Sequence, residues 1–195
     1  MNNIEIKKET VFSAYKSANR EQKELLEKMF GSDMLKQLNI QNRIKTFDDA
    51  LVELHERIDN GDNHAKMLVD EYEYNNHNTV SCDLLAYCKL RIIAEALNEG
   101  WRPEFTQNER RWYPYFRLCT KEELDNNIYH YTSKVVGRGG SGANAYDGLV
   151  YASVSGSSSG SLPYLGYRLA FKNDELAEYA GQQFIDVYAD YYLTH

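Results

Sequence analysis

Apolar positions recur at helical spacing through the first half of the chain and change character after residue 100. In SANREQKELLEKMFG, Leu25, Leu26, Met29 and Phe30 fall on one helical stripe, and Gly31 stands where a left-handed residue would end it. Thr46 opens TFDDALVELHERI with Asp49 three residues on, the pairing of a capping box, and Phe47, Ala50, Leu51 and Leu54 supply the apolar face. SCDLLAYCKLRIIAEALNEG predicts the longest helix, with Leu84, Leu85, Cys88, Ile92 and Leu97 giving a broad apolar face that Gly100 terminates.

From Trp101 onward, aromatics, prolines and alternation in WRPEFTQNERRWYPYFRLC favour strands. Thr120 with Glu123 predicts a short capped helical turn, and IYHYTSKVV alternates as a strand. YRLAFKN is expected to be a further strand, with Tyr167, Leu169 and Phe171 on one face. A final helix capped by Asn173 carries Leu176, Ala180, Phe184, Val187 and Tyr191 as its stripe. The pattern predicts an α+β protein with a helical N-terminal portion over 1–99 and an α+β domain over 100–195 that ends in a helix.

Composition narrows the partners. The net charge is −7, with the acid excess concentrated at 61–100 and 173–195 and a small basic excess between them. That balance argues against duplex nucleic acid, whose phosphates need clustered Lys and Arg. The cysteines, Cys82, Cys88 and Cys119, have no framework spacing, so no disulfide scaffold is expected. MNNIEIKKETVF lacks the apolar core of a signal peptide, and no stretch reaches the length of a membrane span. The expectation is therefore a soluble protein, or one released by lysis rather than secretion, with no membrane partner.

No catalytic constellation emerges. The histidines at 55, 64, 77, 130 and 195 share no metal-ligand spacing, and no nucleophile elbow or phosphate loop is present. GRGGSG lacks the Lys-Ser/Thr that would complete a phosphate cradle. Neither enzyme, metal nor cofactor is expected. Trp112, Tyr113 and Tyr115 beside Arg110, Arg111 and Arg117 could stack single-stranded bases, although inward-facing core aromatics explain the same pattern.

The distinctive segment is 137–166, GRGGSGANAYDGLVYASVSGSSSGSLPYLG, which holds eight of the chain's twelve glycines. Flexible linkers share the Gly/Ser content but not the interleaved tyrosines and aliphatics. Tyr among Ser, Gly and Asn is the chemistry of antibody binding loops, where Tyr gives contact area and the small residues give adaptable hydrogen bonds. Asn144, Tyr146, Asp147, Tyr151, Ser153, Ser155, Ser157 and Tyr164 are the candidate binding residues.

Arg138, Gly139, Gly140 and Ser141, followed by Gly166, Tyr167, Arg168 and Leu169, resemble the late part of the C-type-lectin-like fold. The likeness is to its formylglycine-generating-enzyme branch and to the variable proteins of diversity-generating retroelements. Gly142 stands where that pattern has Trp, and LVYAS lacks its arginine. The resemblance implies a rigid scaffold with diversified surface side chains that bind a ligand. The enzyme branch's late cysteines are missing after Cys119, and the calcium triplets EPN, QPD and WND are absent, so neither chemistry carries over. RIKTFDDA, ALNEGWRP, YPYF and RLAFKNDELAEYAGQQF are also similar to proteins encoded by phages and prophages of gut bacteria. Together these imply a phage-encoded binding or display protein contacting a host-surface, protein or glycan ligand, with homo-oligomerisation through the last helix as an option. The alternatives are a phage single-stranded nucleic-acid-binding protein and a structural virion component.

Overall fold

The computed structural model describes residues 6–31, 35, 39–78, 80–126, 135–137, 148–157 and 167–193. Among these the protein is mixed α and β, with nine helices and a small three-stranded antiparallel sheet. No described helix is long and apolar enough to cross a membrane. The chain divides into two compact units, Met1–Lys45 and Thr46–His195. The expected boundary near residue 100 falls inside the second of these.

The first unit contains α1 (Lys8–Ser17), α2 (Arg20–Phe30) and the short α3 (Ile40–Arg43). Asn19 and Gln22 form a capping box that starts α2, and Gly31 ends it at φ +95°, a conformation that favours glycine. Val11, Tyr15 and Leu35 are buried together, with Phe12, Leu26 and Phe30 packed against them. Leu25 and Met29, on the same expected stripe, stay exposed. The Tyr15 hydroxyl donates to Glu27 Oε1 at 2.5 Å.

The second unit opens with α4 (Phe47–Asp59), α5 (Asn63–His77) and α6 (Cys82–Leu97). Thr46 and Asp49 cap α4 reciprocally at 3.1 and 2.8 Å, as their spacing predicts. Asp62 caps α5 by accepting from the amides of His64 and Ala65. Every residue from Ile92 to Leu97 of α6 is buried, because α4 and α5 cover part of this helix and C-terminal elements cover the rest.

The sheet has the order β1 (Arg111–Cys119), β3 (Gly148–Ser157), β2 (Val135–Gly137), with the short α7 (Lys121–Asp125) following β1. The expected final helix is two, α8 (Asp174–Gln183) and α9 (Ile185–Tyr192), broken at Phe184, whose φ −112° and ψ 27° leave the helical region. The break lets α8 pack on β1 and β3 while α9 contacts α6, β2 and β3. The strand expected over YRLAFKN is instead a 3-10 turn, Tyr167–Leu169, followed by one bridge residue, Phe171, bonded to Trp112. The Asn98 side chain takes the place of a strand partner there. Its amide donates to Ala170 O at 2.8 Å and its Oδ1 accepts from Lys172 N at 3.0 Å, tying the end of α6 to this segment.

The middle of the Gly/Ser/Tyr stretch is thus a strand. A bulge between Tyr115 and Phe116 pairs Tyr115 with Ser153 and Phe116 with Tyr151, leaving Ala152 as the extra residue. In an unbroken strand Tyr151 and Ser153 would share a face. Across the bulge they part, and Tyr151 turns into the core, 6% exposed, beside Phe116 and against α8. Burial first, then the Glu178 charge, pushes its phenol up to about 12 despite a hydrogen bond with Gln182. Tyr151 is therefore a packing residue and not part of an exposed binding face.

Gly181 of α8 is what admits the ring, since a Cβ there would lie 2.8 Å from Tyr151 and 2.6 Å from Pro114. Tyr151→Ala should cost about 3–5 kcal/mol by opening a cavity, and Gly181→Ala about 1–3 kcal/mol by overpacking. Ser153→Ala, exposed on the same strand, should stay within about 0.5 kcal/mol of wild type. Urea unfolding midpoints of the three variants check this ordering.

A charged cleft between two helices

The four expected binding residues that the structure describes do not share one environment. Ser153 and Ser155 are exposed on β3, Ser157 is half-buried at its end, and Tyr151 is in the core. Asn144, Tyr146, Asp147 and Tyr164 lie outside the described residues. Of the aromatic and basic group around β1, Tyr113 and Arg111 are buried, and Trp112 lies half-buried across Gly156. Tyr115, Arg110 and Arg117 are exposed.

A different part of the second unit forms a concavity of about 680 Å³. That volume is within the range of small-molecule sites. From α5 come His64, Met67, Leu68 and Glu71, spaced so that they share one helical face. From α6 and its end come Tyr87, Arg91, Glu95 and Asn98, again one face. Trp101, Arg102 and Pro103 close one side, with Tyr167, Arg168 and Ala170 also lining the space.

The segment holding Trp101 is set by unusual backbone. Glu99 at φ 52° and Gly100 at φ 81° turn the chain off α6, and Phe105 at φ 60° turns it again. For residues with a Cβ this region costs on the order of 1–2 kcal/mol each. Lys172 Nζ, 3.0 Å from Glu99 Oε2, helps hold the first turn. A Cβ at residue 100 would sit 3.2 Å from Arg57 Nη2, a second reason for glycine.

Charges behind the cleft are tightly paired. Arg57 on α4 donates through Nε and Nη2 to Asp62 Oδ2 at 3.0 and 2.6 Å, through Nη2 to Glu95 Oε1 at 2.5 Å, and through Nη1 to the Glu95 carbonyl at 3.1 Å. Burial alone would lower the Arg57 pKa; the hydrogen bonds and charges of Glu95 and Asp62 outweigh that and raise it. Hydrogen bonding from the Ala65 amide, then from Arg57, holds the Asp62 carboxyl down at about 2. Arg91 Nη1 meets Glu71 Oε2 at 2.6 Å and lies over the Tyr87 ring.

His64 Nε2 is 3.6 Å from Glu95 Oε2. Its pKa is lowered, by burial first, with Arg102 and Arg91 adding to the effect while Glu95 and Asp62 oppose it. The imidazole is consequently biased toward its neutral form, able both to donate and to accept.

One signal for this site was present in the sequence. Arg91 and Glu95 interrupt the otherwise apolar run Leu90–Leu97 at a four-residue spacing, and charges buried on such a helix need partners. Arg57, Arg102 and Arg168 carry no comparable mark, because tertiary folding alone brings them near.

Asp62→Asn keeps a capping oxygen but removes the charge facing Arg57. It should lower stability at neutral pH by about 1.5–3 kcal/mol, the range for hydrogen bonds to charged groups. Because the folded carboxyl sits below its ordinary 3.8, its contribution is complete above that value and fades as pH falls through about 2. Denaturation of wild type should therefore weaken over that acid window, and the variant should lose that part of the dependence.

No protein-family model, curated protein or solved structure matches this chain.

Proposed function

We propose that this protein is a ligand-binding protein whose recognition site is the cleft between α5 and α6. The observation that carries the reading is the convergence of two helical faces and the segment 101–103 on one concavity that mixes arginines, a histidine and aromatic rings. Such a mixture of apolar walls and a few placed polar groups is the usual composition of a small-molecule site. Glu71 and Glu95 are engaged by arginines, so the groups form a held arrangement in place of a solvated surface. Binding, not turnover, is the role these contacts support.

A second reading, a phage-encoded display protein contacting a host-surface or macromolecular partner, draws support from Ser153, Ser155 and Tyr115, which are exposed on paired strands. A C-type-lectin-like arrangement is part of that reading, with the antiparallel β1–β3–β2 sheet as the framework for its loops. Tyr113 is buried and Trp112 half-buried across Gly156, which leaves the single-stranded nucleic-acid alternative with few fully open stacking platforms.

Met67 lines the cleft yet is largely exposed, so a larger side chain there can obstruct the space at little cost to the core. In two-dimensional NMR with a panel of small-molecule fragments, binders should shift the Trp101 indole N–H and the amides of 64–71 and 91–102. Met67→Trp should abolish those shifts while Ser153→Ala leaves them intact. Fragment shifts confined to β1 and β3 would reject the cleft in favour of the sheet.

A further inference from the structure

The geometry points to a small aromatic anion, a planar ring bearing a carboxylate or phosphate, as the ligand class of this cleft; the inference rests on the cleft being a binding site. Charge pairing decides the sign. Glu71 is engaged by Arg91 at 2.6 Å and Glu95 by Arg57 at 2.5 Å, so each lining carboxylate already has a guanidinium at hydrogen-bond distance. Arg102 remains 3.9 Å from Glu95 Oε1, beyond hydrogen-bond reach, and its side chain is 53% exposed. Arg168 is exposed and, among the described residues, lies over the Tyr167 ring at 4.8 Å without a carboxylate partner. The cleft of an acidic protein thus presents two guanidiniums with donors to spare. Planar forked donors of this kind match the oxygens of carboxylate and phosphate.

The rings supply the other half. Trp101 and Tyr167 line the same space as these arginines, and Tyr167 is fixed edge-to-face against Phe105 at 5.4 Å. A flat ligand body can rest on these faces while its anionic group reaches the guanidiniums. A cationic ligand would face Arg102 and Arg168 and find both carboxylates occupied.

The test is titration of the full chain, by calorimetry and by the Trp101 indole N–H shift, with phenyl phosphate, benzoate, inorganic phosphate, benzyl alcohol and benzylamine. Phenyl phosphate or benzoate should bind at least ten-fold more tightly than benzyl alcohol or benzylamine, and which of the two is tighter distinguishes phosphate from carboxylate. Phenyl phosphate should also exceed inorganic phosphate if the rings contribute. Arg102→Gln and Arg168→Gln should each weaken the favoured anion about ten-fold at unchanged melting temperature, and affinity should fall between 50 and 300 mM NaCl, concentrations of about the range where screening becomes strong. Benzylamine or benzyl alcohol binding as tightly as the anions would overturn the ligand class and leave the cleft reading standing. Failure of every probe and of the wider fragment panel to move the Trp101 signal would overturn both.

Discussion

One guanidinium holds the helical half of the larger unit together. Arg57 reaches from α4 to the cap of α5 and to both the carboxylate and the backbone carbonyl near the end of α6. Taking such charges out of water is expensive, and the arrangement is tolerable because Glu95 and Asp62 supply matching acceptors. Asp62 acts twice, as a cap for the amides of α5 and as a partner for Arg57. The relative setting of the three helices, and hence the spacing of the two faces that make the cleft, depends on this shared cation.

That clasp also shapes the electrostatics of the cleft. By occupying Glu95, Arg57 removes the nearest strong acceptor for Arg102, and the Arg91–Glu71 pair consumes the other acid on the facing helix. The space is left with cationic capacity although the chain as a whole is acidic. Backbone turned to positive φ at 99, 100 and 105 places the aromatic side of the site, and the Lys172 contact to Glu99 joins it to the C-terminal segment. Asn98 completes the connection by acting as a surrogate strand for residues 170 and 172.

The sheet contributes a separate lesson about register. A single bulge reverses the facing of Tyr151 relative to Ser153, so one half of β3 is absorbed into packing against Gly181, Phe116 and their neighbours while the other remains open. Phe116 in turn meets Tyr188 and Tyr192 of α9, extending an aromatic layer between sheet and helices. The tyrosine-rich C-terminal helix thereby has a packing role, with Tyr188 fully buried and its phenol held neutral by that burial.

Local chemistry was enough to read several elements from the residues alone. Thr46 with Asp49, Thr120 with Glu123 and Asn173 each cap the helix their spacing announces, because capping involves groups only a few residues apart. The apolar run ending at Leu97 likewise marks a buried helix whatever surrounds it. What required the tertiary structure was every decision made between distant groups. Asn98 converting YRLAFKN into a turn and a bridge, Ala152 bulging to bury Tyr151, and Phe184 dividing the last helix all depend on partners remote in sequence. The cleft belongs to the same class, since its arginines acquire meaning only when folding determines which carboxylates are already taken.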